Sequence, residues 1–148
     1  MEYIYYNPNP NQRYRADGRP IKSDQSGDCV VRAVAKALDL SWEDSYKKLC
    51  EEGLKQHLMP NDSSGKVYGK VLEDAGFKLG NVNQDFIRRY HRRPTVSELY
   101  ASLLRQNNNT SRKKIVIKCT HHLTCIDEGV IFDTWDTSDE CVWRFWYK

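Results

Sequence analysis

From residue 28 to about residue 105 the apolar positions recur at helical spacing. Past the polar run RQNNNTSRKK (105–114) the periodicity changes and they gather into short β-rich runs. Residues 28–39 predict a helix that starts at Asp28 and is crowded with Val30, Val31, Val34, Ala35 and Leu38. Ala33, Ala35 and Ala37 permit close approach on several sides, which suits a central helix. Ser41 then caps WEDSYKKLCEEGL, with Trp42, Tyr46, Leu49 and Cys50 as its apolar stripe. KVYGKVLEDAG reads as a third helix closed by Gly76, and PTVSELYASLL as a fourth with a Thr95/Glu98 capping box. The runs at 115–119, 122–126, 130–135 and 142–147 are β-rich. Helices first and strands last predict an α+β domain with a segregated antiparallel sheet. The 148 residues fit one domain, in which 1–22 (rich in Pro and Asn turns) form an extended N-terminal arm with one short strand at most.

Composition narrows the class. A hydrophobic fraction of 39% with 11% aromatics supports a packed core, and a net charge of +3 implies no polyanionic partner. The five cysteines are odd in number and contain no CxxC, so reduced thiols in a cytoplasm fit better than a secreted disulfide framework. No signal-peptide h-region and no apolar run of ~20 residues is present, so no membrane association is expected.

The candidate chemistry starts at Cys29. A thiol in the first turn of a helix faces the positive end of the helix dipole, which favours its thiolate. To act as a nucleophile it needs a base, and the base needs an orienting group. His57 and His91 lie in polar surroundings, which leaves His121 and His122. The stretch HLTCIDEGVIFDTWD reads as a hairpin with Glu128-Gly129 at its tip. A two-residue turn sets Asp127 opposite Val130 and Ile126 opposite Ile131, which makes His122 and Asp133 diagonal neighbours on one face, with Trp135 beside them as a shield. A three-residue turn would shift the register and give Asp136 as the alternative orienting acid.

A cysteine opening the central helix (GDCVVRA), a histidine at the start of a later strand (HLTCI) and an Asp-Thr-Trp element (DTW, 133–135) come in that order. This order resembles the papain-like cysteine peptidase superfamily, particularly its short bacterial and phage members. The likeness runs from about residue 23 to 136 and is carried by three short motifs. It implies a papain-like fold and a Cys-His-Asp triad: Cys29 as nucleophile, His122 as base and acid, Asp133 as the group orienting the imidazole. It also implies a glutamine in the oxyanion hole, for which Gln25 is the candidate, four residues before Cys29 where the family commonly has six. The run SGDCV departs from the papain-type CGSCW. The implied activity is a cysteine peptidase, or another amide or isopeptide hydrolase, acting on a protein or peptide through a thioester without a cofactor. Alternatives within the same fold are a deamidase, a transglutaminase-like acyltransferase and an inactive binding protein.

Three other patterns are read as structural. CTHHLTC collects Cys119, His121, His122 and Cys125, but its spacing matches no zinc finger, and no metal site is expected. RRYHRR (88–93) is the densest positive run and reads as a solvated face, so a nucleic-acid partner is not expected. Trp143, Phe145 and Tyr147 alternate with Val142, Arg144 and Trp146, as in a terminal strand with one core face.

Overall fold

The central helix is α1 (Cys29–Leu38), and Val30, Val31, Ala33, Val34, Ala35 and Ala37 are all buried along it. It packs beside α2 (Trp42–Gln56) and α3 (Lys66–Asp74), the latter ending just before Gly76 at φ 92°. The computed structural model describes residues 1–21, 27–106 and 114–148, so Gln25 and most of the polar run 105–114 lie outside the described residues. Ser41 caps α2 by accepting the Asp44 backbone N–H. Its buried stripe is Ser45, Leu49, Glu52 and Gly53, whereas Tyr46, expected inside, is exposed and stacks on Trp42. The Thr95/Glu98 capping box is present at the start of α5 (Val96–Arg105).

The remaining elements are β1 (Glu2–Tyr5), β2 (Lys78–Gly80), α4 (Gln84–Tyr90), β3 (Ile115–Lys118), β4 (Leu123–Asp127), β5 (Val130–Asp133) and β6 (Arg144–Tyr147). Together they give a mixed α+β architecture with a six-stranded sheet of order β1-β5-β4-β3-β6-β2. Two features depart from the segregated antiparallel expectation. The N-terminal arm supplies β1, which pairs in parallel with β5, and β2 arises between helices and pairs with β6. Helix α4 also adds an element inside the region of the basic run.

The sheet is buried on both faces. Val116, Leu123, Cys125 and Trp146 pack with α1 and α3, and Ile115, Ile117, Ile126, Ile131 and Phe145 pack with α5. Strand β6 therefore has no solvent face along Phe145 and Trp146, contrary to the single core face its alternation suggested. Glu128 (φ 48°) and Gly129 (φ 86°) form the two-residue tip of the β4–β5 hairpin, both left-handed as a type I′ turn requires. Asp127 pairs with Val130, Ile126 with Ile131 and Cys125 with Phe132, which is the register of the two-residue turn. No helix among the described residues is long and apolar enough to cross a membrane.

Candidate active site

Three elements converge at one end of the sheet. Strand β4 begins just after His122, β5 ends at Asp133, and the first turn of α1 brings Cys29 over both. The register sets His122 and Asp133 on the same face, and His122 Nε2–H donates to Asp133 Oδ2 at 2.7 Å. The other carboxylate oxygen, Oδ1, accepts the Thr134 backbone N–H at 2.7 Å, which fixes the plane of the buried carboxylate. With Nε2 taken, Nδ1 is the ring nitrogen left for the thiol of Cys29, and the pairing of the two groups lowers the thiol and raises the imidazole. The Trp135 ring lies against the imidazole, 5.2 Å between centroids and tilted by 49°, with its outer side open to solvent.

Asp136, the alternative orienting acid, is excluded by geometry. Its side chain is exposed and accepts the Ser138 backbone N–H at 3.0 Å, so it serves the turn after β5. The CTHHLTC residues do not form a cluster either. Residues 119–122 turn between β3 and β4, with Cys119 N–H donating to the His122 carbonyl at 2.9 Å. That turn places Cys119 and Cys125 in opposite cores, where alternation along one continuous strand would have set them on one face with His121. Among the described residues no group of three or more His, Cys, Asp or Glu is arranged to hold a metal ion.

Electrostatics at the site follow from burial and pairing. Burial alone would push the Cys29 thiol up. The hydrogen bond from His122 and its charge, the Leu123 backbone N–H and the charge of Arg32 outweigh burial and lower the thiol below its ordinary value. Burial also disfavours the charged imidazole, yet the hydrogen bonds to Asp133 and Cys29 hold His122 up at about 9. Both shifts favour a thiolate–imidazolium pair at neutral pH. The other two buried thiols behave in the opposite way: burial pushes Cys119 up to about 12 and raises Cys125 as well.

Behind the three groups lies a layer that the sequence reading missed. Arg32 is 6% exposed, pairs with Asp28, and stands 3.7 Å from Asp133 Oδ1. Asp28, expected to cap α1, makes no capping bond; its Oδ2 accepts from Asn9 Nδ2 and Trp42 Nε1, each at 2.7 Å. The charges thus alternate through the interior: Asp28, Arg32, Asp133, His122, Cys29. The available signal was an arginine inside the apolar run VVRAVA, four residues after an aspartate. The arm residue Asn9 and the distant Trp42 carried no such signal.

The thiol and imidazole open onto a cavity of about 430 Å³, walled by Val30, Asn61, Ser63, Tyr68, Lys118 and Thr120. A larger hollow of about 570 Å³ lies beside Leu38 and Phe77, but neither Cys29 nor His122 lines it. No family model matches the chain, and neither a curated protein nor a solved structure matches it.

Proposed function

We propose that the chain is a papain-like thiol hydrolase that cleaves amide or isopeptide bonds of a protein or peptide through a thioester. The observation that carries this reading is the His122–Asp133 hydrogen bond beside Cys29, with the thiol and the imidazole lining one open cavity. Its order, with a nucleophile helix before a sheet that holds the base and the acid, supports the papain-like reading of the fold.

In this mechanism Cys29 Sγ, as thiolate, attacks the substrate carbonyl carbon. The negative charge that develops on the carbonyl oxygen meets backbone N–H groups of the first turn of α1, which lack an acceptor within the helix itself. His122 gives its proton to the leaving nitrogen, the C–N bond breaks, and the first product departs as an amine. Neutral His122 then takes a proton from water, the hydroxide adds to the thioester, and the C–S bond breaks to return the thiolate and a carboxylic acid. Asp133 holds the ring throughout and stabilises its positive charge without taking the proton. Gln25 is the proposed second oxyanion donor and lies outside the described residues.

The test is labelling with a peptidyl thiol electrophile at neutral pH, with the modified residue located by mass spectrometry. Selective modification of Cys29, abolished in Cys29→Ala and strongly slowed in His122→Ala, is the expected result. Uniform modification of Cys29 and the exposed Cys141 would overturn the reading.

A further inference from the structure

Strands β3 and β6 place Lys118 directly opposite Arg144. Like charges in directly opposed cross-strand positions repel, so such a pair weakens the sheet unless an acid lies between them. Among the described residues neither cation has a carboxylate within ion-pair distance, while lysines and arginines elsewhere do, as in Lys36–Asp127, Lys70–Asp74 and Arg92–Glu98. The two cations share the face of Val116 and Trp146, which is the face turned to α3. They line a second hollow of about 410 Å³ that continues the cavity of Cys29, the two sharing Ser63, Tyr68, Lys118, Thr120 and His121.

The outer wall of this hollow is Trp143, 47% exposed, whose indole N–H donates to Thr120 Oγ1 and whose ring is covered by the Arg93 guanidinium at 3.9 Å. No carboxylate among the described residues lines either hollow. The nearby Asp62 turns its carboxylate back onto the Ser64 backbone and hydroxyl. A further hollow of about 330 Å³ meets the site at Gly27 and Asn61; Trp42, Tyr46, Met59 and Pro60 give it a mainly apolar wall, to which Asn9, Asn11 and Asp28 add polar groups. The groove through Cys29 is therefore cationic where it runs to Lys118 and Arg144 and mainly apolar where it runs to Trp42 and Met59.

Resting on the thiol-hydrolase reading of Cys29, we infer that the groove takes an extended peptide segment with acidic residues on one flank of the scissile bond and apolar residues on the other. Lys118 and Arg144 recognise the carboxylates, with His121 and Arg93 at the rim. A cationic pair that no internal acid neutralises is stabilised by an anionic ligand. Carboxylates spaced along an extended chain match two cations set side by side on neighbouring strands.

The test separates this inference from the hydrolase reading by using Cys29→Ala and measuring binding alone. Fluorescein-labelled nine-residue peptides carry three glutamates on one flank of a central glycine and three leucines on the other, in both chain directions. Each is compared by anisotropy with a counterpart in which glutamine replaces glutamate. Each exposed ion pair is worth up to a few-fold in affinity, so the tighter glutamate peptide is expected to bind about tenfold better than its counterpart, and less so in high salt. Lys118→Glu with Arg144→Glu should abolish that preference, and Lys118→Gln with Arg144→Gln, which removes the mutual repulsion without adding charge, should do so in a fold at least as stable. Equal affinity for the glutamate and glutamine peptides overturns the inference, as does a preference that survives the glutamine variants. Displacement of the peptide by a single-stranded oligonucleotide of equal charge at lower concentration also overturns it, in favour of a general anion site. Failure of Cys29 to label in the native protein leaves these binding outcomes intact and refutes only the hydrolase reading.

Discussion

Arg32→Met removes one cation from between two buried carboxylates, and the structure sets the size of the effect. Arg32, Asp28 and Asp133 are exposed by 6%, 7% and 3%. Asp28 keeps its bonds from Asn9 and Trp42, and Asp133 keeps His122 and the Thr134 N–H, but both lose the charge that offsets their desolvation. Breaking a buried pair from one side costs about 3–5 kcal/mol. Methionine refills most of the volume of the arginine stem, so little of that loss comes from a cavity. Against a typical domain stability of about 5–15 kcal/mol this is a large fraction. With a urea slope of about 1–3 kcal/mol/M, the unfolding midpoint at pH 7 should fall by about 2 M, read by circular dichroism. A double variant identifies the cause. In Asp28→Asn with Arg32→Met one orphaned charge is gone, so the double variant should be more stable than Arg32→Met alone. A loss under about 1 kcal/mol at pH 7, or a double variant no more stable than Arg32→Met, would refute a charge-based role and leave Arg32 as packing.

Asp133→Asn should bring His122 down from about 9 towards or below its ordinary 6.5, because the acceptor and its charge are lost while burial remains; titration of the ring protons by NMR reads this directly. The same raised value gives a signed stability effect. The His122 contribution is fully present below 6.5 and is lost as pH rises through about 9, while the lowered Cys29 thiol contributes in the opposite sense; in Cys29→Ala, where that opposing contribution is gone, stability should decline across the window and the decline should flatten when Asp133→Asn is added. Alkylation by iodoacetamide at pH 7 should be faster at Cys29, whose thiol is lowered, than at Cys119 or Cys125, which burial raises; equal rates would contradict the electrostatic account. Gly129→Ala should cost about 1–2 kcal/mol, since alanine is strained at φ 86° and its Cβ would come within 2.7 Å of the Tyr100 hydroxyl; an unchanged melting temperature would contradict the type I′ assignment. Thr95→Ala should lower stability by about 1 kcal/mol through loss of the capping box, measured by urea unfolding.

Short-range signals carried much of this protein. Helical spacing with Ser41, Gly76 and the Thr95/Glu98 pair marked three helix ends, because a cap is a contact within a few residues of its own N–H or carbonyl. The Glu128-Gly129 tip determined the hairpin register, and a strand's period of two then carried that register outward to bring His122 and Asp133 to one face. What lay beyond such reach was decided by the tertiary structure. Asn9 and Trp42 meet at Asp28, from an arm and a helix whose local patterns say nothing of each other. Arg32 is a charge inside an apolar helix, and the fold brings Asp133, 101 positions later (133 − 32), within 3.7 Å of it. The parallel pairing of β1 with β5 and the covering of β6 on both faces needed the whole chain, since period-two alternation records one buried face and cannot show that a helix covers the second. Lys118 and Arg144 lie 26 positions apart (144 − 118), and only the β3–β6 register sets them side by side at the mouth of the site. Backbone periodicity is written within a few residues, whereas charge pairing depends on which distant side chains the packed core brings together.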